Sequence, residues 1–519
     1  MRLVVSLRRL SVLVAVAAAG LAAVGCTKHN PLYCESAGDC ASFSCNTTAR
    51  ECNPVQECTD STTCSAPGAP ICDTGLGYCV PCSDPGPSSA CEAHDSSLPI
   101  CADDGHCVEC LDHGACGVGA PICDSELHEC RGCDSSTECA GLGGANDICS
   151  PTGQCVACVN HGDCSATSQV CDRSTNACAA AADVFYVSGT DGTDNGSCGS
   201  QLQPCKTVEF GLALMGGQPF LRVAGGDYSG NIEVTNQAVT IVAPGVTFTS
   251  LGSDRPALLV NNGSTLAIDG MTLRGAHGSN ANGITCENNG TSLTLYDARI
   301  TGNEVNGIYS FGCEIDVQRG SSDNNTAVGI EAFNGSLTVS AARLYHNLAG
   351  GIHLSTVEYD ITNSFIVDNG RGAAGGSDVG GVRVDNSTEN RPQRFAFNTV
   401  AGNTARTAAT ASGIHCDTSG MAAPVLTSNL IWGNAGGMAQ TSGNCTWRFS
   451  NIEGYADAGN NGNIDEDPGY ENVIDGDYHV RTGSPCVDAG ETIEDILFDY
   501  DLDRRGQGNG YDIGADEVE

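Results

Sequence analysis

Four columns of residues recur every 22 positions in the second half of this 519-residue chain. Asn303, Asn325, Asn347 and Asn369 share that step. Gly307, Gly329 and Gly351 keep it too, each followed by isoleucine at Ile308, Ile330 and Ile352. Leu293, Ile315, Leu337 and Tyr359 form a third column, and Leu295, Val317, Val339 and Ile361 a fourth. Apolar and polar residues alternate along each short run, as in a half-buried strand. One coil of 22 residues cannot bury its own apolar face, so equal coils must stack and pile like side chains into ladders. Stacked coils then sit about 4.8 Å apart, the strand-pairing distance. The fold class expected is all-β: a right-handed parallel β-helix, a single-stranded solenoid, preceded by disulfide-rich small modules. The Asn column is expected at a turn, bonding backbone and tolerating left-handed geometry. The Gly column is expected to permit the bend before each strand. Arg371–Gly380 and Thr404–Ser412 interrupt the period, and Gly381-Val382 and Gly413-Ile414 restore it. These stretches read as loops extruded from one corner.

The first half is built differently. After Cys26, cysteines fall into six groups of four, starting at Cys34, Cys58, Cys82, Cys110, Cys133 and Cys158. Cys-x-x-Cys pairs such as Cys107/Cys110 and Cys130/Cys133 have zinc-ligand spacing, but each straddles a group boundary. An even count per group and 32 cysteines in an exported chain favour disulfides. Modules of about 24 residues are too small for an apolar core, so cross-links must hold them. Four cysteines allow three pairings, and spacing does not choose among them. The spacing resembles the Dickkopf N-terminal cysteine-rich domain. The array reads as a spacer or as a protein-binding surface.

The N-terminus addresses the chain. Arg2, Arg8 and Arg9 precede the apolar run Leu10–Val24, too short for a comfortable membrane span and apt for a signal segment. Leu21-Ala22-Ala23-Val24-Gly25-Cys26 resembles the bacterial lipoprotein cleavage box, which implies lipidation of Cys26. Thr27, where an inner-membrane lipoprotein carries Asp, implies an outer-membrane or cell-surface location. An ordinary secretory signal is the alternative. The expected partition is 1–25 signal peptide, 26–33 lipid-proximal tether, 34–178 cysteine-rich repeats, 179–183 linker and 184–519 β-helix with an N-terminal cap and a C-terminal closing segment.

The cap, from Phe185-Tyr186-Val187 through Cys198, Cys205 and a short helical run to about Met215, resembles pectin-lyase-like β-helix proteins. Asp477-Tyr478-His479-Val480, Ser484-Pro485-Cys486-Val487-Asp488-Ala489-Gly490 and Asp512-Ile513-Gly514-Ala515-Asp516-Glu517 resemble the ending of bacterial choice-of-anchor Q proteins. Here the anchor would be the N-terminal lipid. Cysteine positions within the coils predict Cys198–Cys205, Cys286–Cys313 and Cys416–Cys445, leaving Cys486 free and buried.

If Ile308 and its equivalents point inward, the next residue points outward. That column is Thr285, Tyr309, Glu331, His353, Arg383, His415 and Ala439. Two positions on lies a second: Glu287, Phe311, Phe333, Ser355, Asp385 and Asp417. Tyr309, Phe311, Glu331, Phe333 and His353 are candidate ligand-binding residues, since exposed rings stack on sugars. His353, Arg383, Asp385, His415 and Asp417 are the catalytic candidates, because imidazole and carboxylates do acid–base work. Against catalysis, a β-eliminating lyase needs a strong base, and Arg383 is the one central candidate. No nucleophile elbow or phosphate loop appears. Asp499, Asp501 and Asp503 have calcium-loop spacing, but Arg504 stands where that loop requires glycine. No other cofactor is implied.

With 62 acidic against 23 basic residues, the net charge is −39. That excludes nucleic acid as a partner, since phosphate contacts need clustered Lys and Arg. The expected function is a non-enzymatic surface lipoprotein presenting a β-helix for adhesion or polysaccharide binding. The alternatives are a polysaccharide lyase or glycoside hydrolase, and a protein-binding cysteine-rich array. The sequence leaves the oligomeric state open.

Overall fold

A computed structural model describes residues 43–46, 51–54, 58–65, 69–74, 78–83, 86–371, 379–385, 393–406, 411–417 and 423–518. The signal segment, Cys26 and the tether lie outside the described residues. So does the first module, apart from its antiparallel strand pair, Phe43–Asn46 with Glu51–Pro54. The chain divides into two compact units, Met1–Cys155 and Val156–Glu519.

In the first unit each described module pairs its cysteines first to third and second to fourth. Cys58–Cys72 with Cys64–Cys79, and Cys110–Cys123 with Cys116–Cys130, are examples, with Cα separations of 5.6 to 5.9 Å. The pairing follows from local structure. The third and fourth cysteines face each other across a two-stranded hairpin, as Cys123 faces Cys130. The second sits in or just after a short helical turn, and each disulfide ties one hairpin strand to a different preceding segment. The first residue of that turn also accepts the N–H of the third cysteine: Ser61 Oγ from Cys72, His113 Nδ1 from Cys123 and Ser136 Oγ from Cys149. The zinc alternative fails in these modules, because Cys107 and Cys110 are bonded to different partners, Cys91 and Cys123.

The sixth module belongs to the second unit. Cys158–Cys171 and Cys164–Cys178 repeat the pairing, and His161 Nδ1 again accepts from the third cysteine. Val170 packs with Val184, Tyr186, Phe220 and Val242. Arg173 grips Asp269 through two bonds of 2.6 and 3.0 Å and reaches Asp297 at 2.8 Å. His161 Nε2 lies 3.0 Å from Asp269. Burial alone would raise the Asp269 carboxyl, but His161 and Arg173 hold it below the ordinary value. Cysteine spacing therefore marks the module edge, whereas the packing edge falls between Cys155 and Val156. The stretch read as a linker, 179–183, is largely a short helical turn, Ala181–Asp183, leading directly into the first strand.

The remainder of the second unit is a parallel β-helix of three sheets with eleven, ten and nine strands. Each coil contributes a strand to each sheet in turn, for example Ser292–Tyr296, Arg299–Thr301 and Ile308–Phe311. The 22-residue register is realised: Leu293, Ile315, Leu337 and Tyr359 are direct partners on successive coils, all buried. A helix, Val208–Leu214, capped by Thr207, packs on the first coils, as the sequence implies. The interruptions include the undescribed residues 372–378 and 407–410, and Ile352, Val382 and Ile414 stay in register across them.

The Asn column bonds backbone as expected, Asn347 Nδ2 donating to the Ser322 carbonyl, but it does not carry the left-handed geometry. Asn303, Asn325, Asn347 and Asn369 are fully buried, and the left-handed residue is the one before each: Gly302, Asn324, His346 and Asp368. Each Asn donates Nδ2 to Oδ1 of the Asn one coil on, at 2.9 to 3.0 Å. That Oδ1 also accepts the preceding Asn's backbone N–H. The ladder continues through Asn403 to Asn434 and ends on Gln440, whose Oε1 takes the last amide at 2.7 Å.

The Gly column also has another cause. Gly307, Gly329 and Gly351 lack left-handed φ. A Cβ on Gly329 would lie 2.7 Å from the Gly351 carbonyl and 2.8 Å from Asn347 Nδ2. Glycine is required because the next coil's amide occupies the space.

The C-terminal closing segment packs along the side of the β-helix. It runs back over the second sheet, where Tyr478 and Ala515 cover Phe365, Val367 and Ala401, and Val480, Cys486 and Ile513 cover Leu430. Arg505, buried, bonds Asn363 and Glu517 and stacks 4.2 Å from the Phe397 ring centroid.

Two substitutions test the amide ladder. Asn347→Ala leaves buried amide groups unpaired and is expected to cost about 2–4 kcal/mol. Gly329→Ala forces overpacking and is expected to cost about 1–3 kcal/mol. Urea unfolding of the second unit measures both, and Asn324→Ala, on the exposed side of the same corner, should cost far less.

Candidate functional site

The third sheet carries both outward columns. Tyr309 pairs with Glu331, Glu331 with His353, His353 with Arg383 and Arg383 with His415. In the second column Glu287, Phe311, Phe333, Ser355, Asp385 and Asp417 follow one another. Two positions differ from the expected face. Thr285 is buried, its hydroxyl accepting from Asn282. The neighbour of His415 is Ser442, not Ala439, because the register shifts between Ala411 and Ile414 and Ala439 pairs with Ala411. His415 Nδ1 meets Ser442 Oγ at 2.8 Å.

The centre of the face is an ionic cluster. His353 Nδ1 lies 3.2 Å from Glu331 Oε1, and its Nε2 lies 3.2 Å from Asp385 Oδ2. Arg383 Nε donates to the same Asp385 oxygen at 2.8 Å. Asn306 Nδ2 donates to Glu331 Oε2 at 2.8 Å. Burial alone would lower the His353 pKa, but bonds to Asp385 and Glu331 outweigh it and push it up to about 9. Asp385 is held low despite its burial, by His353 and Arg383. His353 thus has both ring nitrogens engaged by carboxylates, a pairing that favours the imidazolium over the free base.

Beside the cluster lies an aromatic strip. The Tyr309 and Phe333 rings are 5.9 Å apart, and Phe333 meets His353 edge-on at 5.8 Å. Burial, with help from Glu331 and Glu287, raises the Tyr309 hydroxyl pKa. Phe311 stands free of these pairs with 51% of its surface exposed.

The structure thus joins Tyr309, Glu331, Phe333, His353, Arg383 and Asp385. It leaves Phe311 and His415 outside that network's bonds, and Asp417 is exposed. Asn306 was missed, although the pairs Asn282-Gly283 and Asn306-Gly307 before each strand were a usable signal: Asn282 accepts from Asn306 and Asn306 from Val328.

Asp499, Asp501 and Asp503 serve the C-terminal segment. Asp499 caps two backbone N–H groups, of Asp503 and Glu517, and burial pushes its pKa up to about 6. Asp501 pairs with His479 at 2.9 Å. Cys198–Cys205, Cys286–Cys313 and Cys416–Cys445 are all formed, with Cα separations of 4.9, 6.1 and 5.7 Å, and Cys486 is free and buried.

No family model matches the chain, and no curated protein is similar to it. Among solved structures, pectate lyase Pel9A is similar at 13% identity and a TM-score of 0.39, over 65% of this chain and 96% of that one. The fold assignment rests on the register of the three sheets.

The His353 cluster makes a pH prediction. Its folded pKa lies above the usual histidine value, so its stabilisation is complete below about pH 6.5 and is lost as pH rises through about 9. An NMR titration of the His353 ring should show a midpoint near 9, and Asp385→Asn should lower it. A midpoint near 6.5 would refute the cluster.

Proposed function

We propose that this protein is a non-enzymatic, lipid-anchored surface protein whose β-helix binds polysaccharide, with the disulfide modules as its stalk. The observation that carries the binding reading is Phe311: a large apolar ring, half exposed, beside the Tyr309–Phe333 strip on one sheet face. Phe311 extends the Tyr309–Phe333 strip across register to an exposed ring, and an apolar strip rimmed by polar groups suits a ligand: a sugar offers a C–H face to the ring and hydroxyls to flanking polar groups. The pairing of His353, Arg383, Glu331 and Asp385, in which each charge is engaged by a neighbour, supports the non-enzymatic reading. The Arg-flanked apolar run ending at Cys26 supports the anchor.

Affinity electrophoresis in gels containing neutral and charged polysaccharides tests the binding. Phe311→Ala is expected to weaken retardation about tenfold, equivalent to about 1.4 kcal/mol. Incubation should release no new reducing ends or unsaturated products. Turnover abolished by His353→Ala would replace this reading with an enzymatic one. For the anchor, radiolabelled palmitate should enter the full chain in a lipoprotein-processing bacterium, and Cys26→Ser should abolish labelling. Unchanged labelling would exclude Cys26 as the anchor.

A further inference from the structure

The corner between the third and first sheets is a groove, and backbone geometry is the reason. Asn288, Gly312 and Asn334 turn this corner on successive coils with φ of 77°, 76° and 56°. Left-handed backbone is adopted at lowest cost by Gly and Asn, whose small side chains leave the corner open on these coils. A cavity of about 670 Å³ results, with Phe311, Glu314, Asn334, Ser336 and Glu358 among its lining. Glu314, Ser336 and Glu358 are in register on three successive coils, so the two glutamates spring from backbone about two coil spacings, roughly 10 Å, apart. Glu287 is the register neighbour of Phe311 on the preceding coil.

These carboxylates differ from those of the ionic cluster. Glu331 and Asp385 are each bonded to His353 and to a second donor. Among the described residues, the Glu287, Glu314 and Glu358 carboxylates have no ion-pair or hydrogen-bond partner, and no cationic side chain lines the groove. Its polar side chains are acceptor-rich, its one ring is Phe311, and its field is negative in a chain of net charge −39.

We infer that this groove binds a polysaccharide bearing free amino groups, with a sugar ring on Phe311 and ammonium groups on Glu314 and Glu358. The inference rests on the glycan-binding reading above and names its ligand class. An ammonium supplies the donors and charge that the groove lacks, and the Phe311 face adds attraction for a cation. An extended pyranose chain advances per ring by nearly one coil spacing, so alternate rings meet Glu314 and Glu358. An extended basic peptide advances about 3.3 Å per residue and falls out of step.

The test uses isothermal titration of the full chain at pH 6 with three hexasaccharides: β-1,4-linked glucosamine, its N-acetylated counterpart and cellohexaose. The glucosamine oligomer is expected to bind at least tenfold more tightly than either neutral one, and to lose that advantage as salt rises. The double variant Glu314→Gln/Glu358→Gln should abolish the preference, and a preference that survives it would overturn the inference. Equal binding of all three, with Phe311 dependence, would overturn the inference and leave the glycan-binding reading standing. Binding of none, under conditions where circular dichroism shows the β-helix intact, would overturn both. Oligolysine binding as tightly as the glucosamine oligomer would show a charge-only surface and would also overturn the inference.

Discussion

A buried amide ladder sets the geometry of the second unit. Each Asn in the row from Asn303 to Asn434 sits in an apolar interior, where an unpaired amide would cost several kcal/mol. The penalty vanishes only if the next coil places its own Asn at the strand-pairing distance, and the side-chain and backbone bonds of the ladder demand just that. The register of neighbouring coils is thereby specified from inside. Glycine is imposed in turn at Gly307, Gly329 and Gly351, because the neighbouring amide and carbonyl fill the volume a side chain would need. The two most regular columns of the sequence are one device.

With register secured internally, the outer faces are free to diverge, and they do so unequally. The first sheet's flank carries the sixth cysteine module, tied by Arg173 to Asp269 and Asp297. The second sheet lies under the C-terminal segment, held by Tyr478 and the buried Arg505–Glu517 pair. Among the described residues, no comparable segment packs over the third sheet between Tyr309 and His353. The aromatic strip, the ionic cluster and the corner groove all lie on or beside that face.

The architecture was legible in the sequence because burial acts on every coil alike: a repeated cause leaves a repeated mark. The same held for Cys286–Cys313 and Cys416–Cys445, each one coil apart. The roles of single residues were less legible. A buried ladder Asn and a turn Asn have the same letter, and only the φ values of Asn324 and His346 show that the residue before bears the turn. The cysteine pairing was open because spacing does not record which strand faces which, whereas the hairpin opposing Cys123 to Cys130 does. The shift that puts Ser442 beside His415 arises from a local irregularity without periodic trace. The path of the C-terminal segment over the second sheet depends on non-local contacts such as Tyr478 to Asp368, 110 residues apart.

Charge then separates the two polar regions of the exposed face. The chain has few cations, and many of those described are spent on structure: Arg173 on Asp269, Arg299 on Asp323, Arg394 on Asp360, Arg505 on Glu517. His353 and Arg383 follow that pattern, neutralising Glu331 and Asp385 within the sheet face. A patch whose charges are matched internally is stiff and offers a ligand little net field. The corner groove has the opposite character, with carboxylates at Glu314 and Glu358 and, among the described residues of its lining, no cation to match them. Holding like charges near one another costs stability, and that cost is recovered when a cation binds between them. The unmatched groove, more than the matched cluster, is where a charged ligand gains the most from this surface.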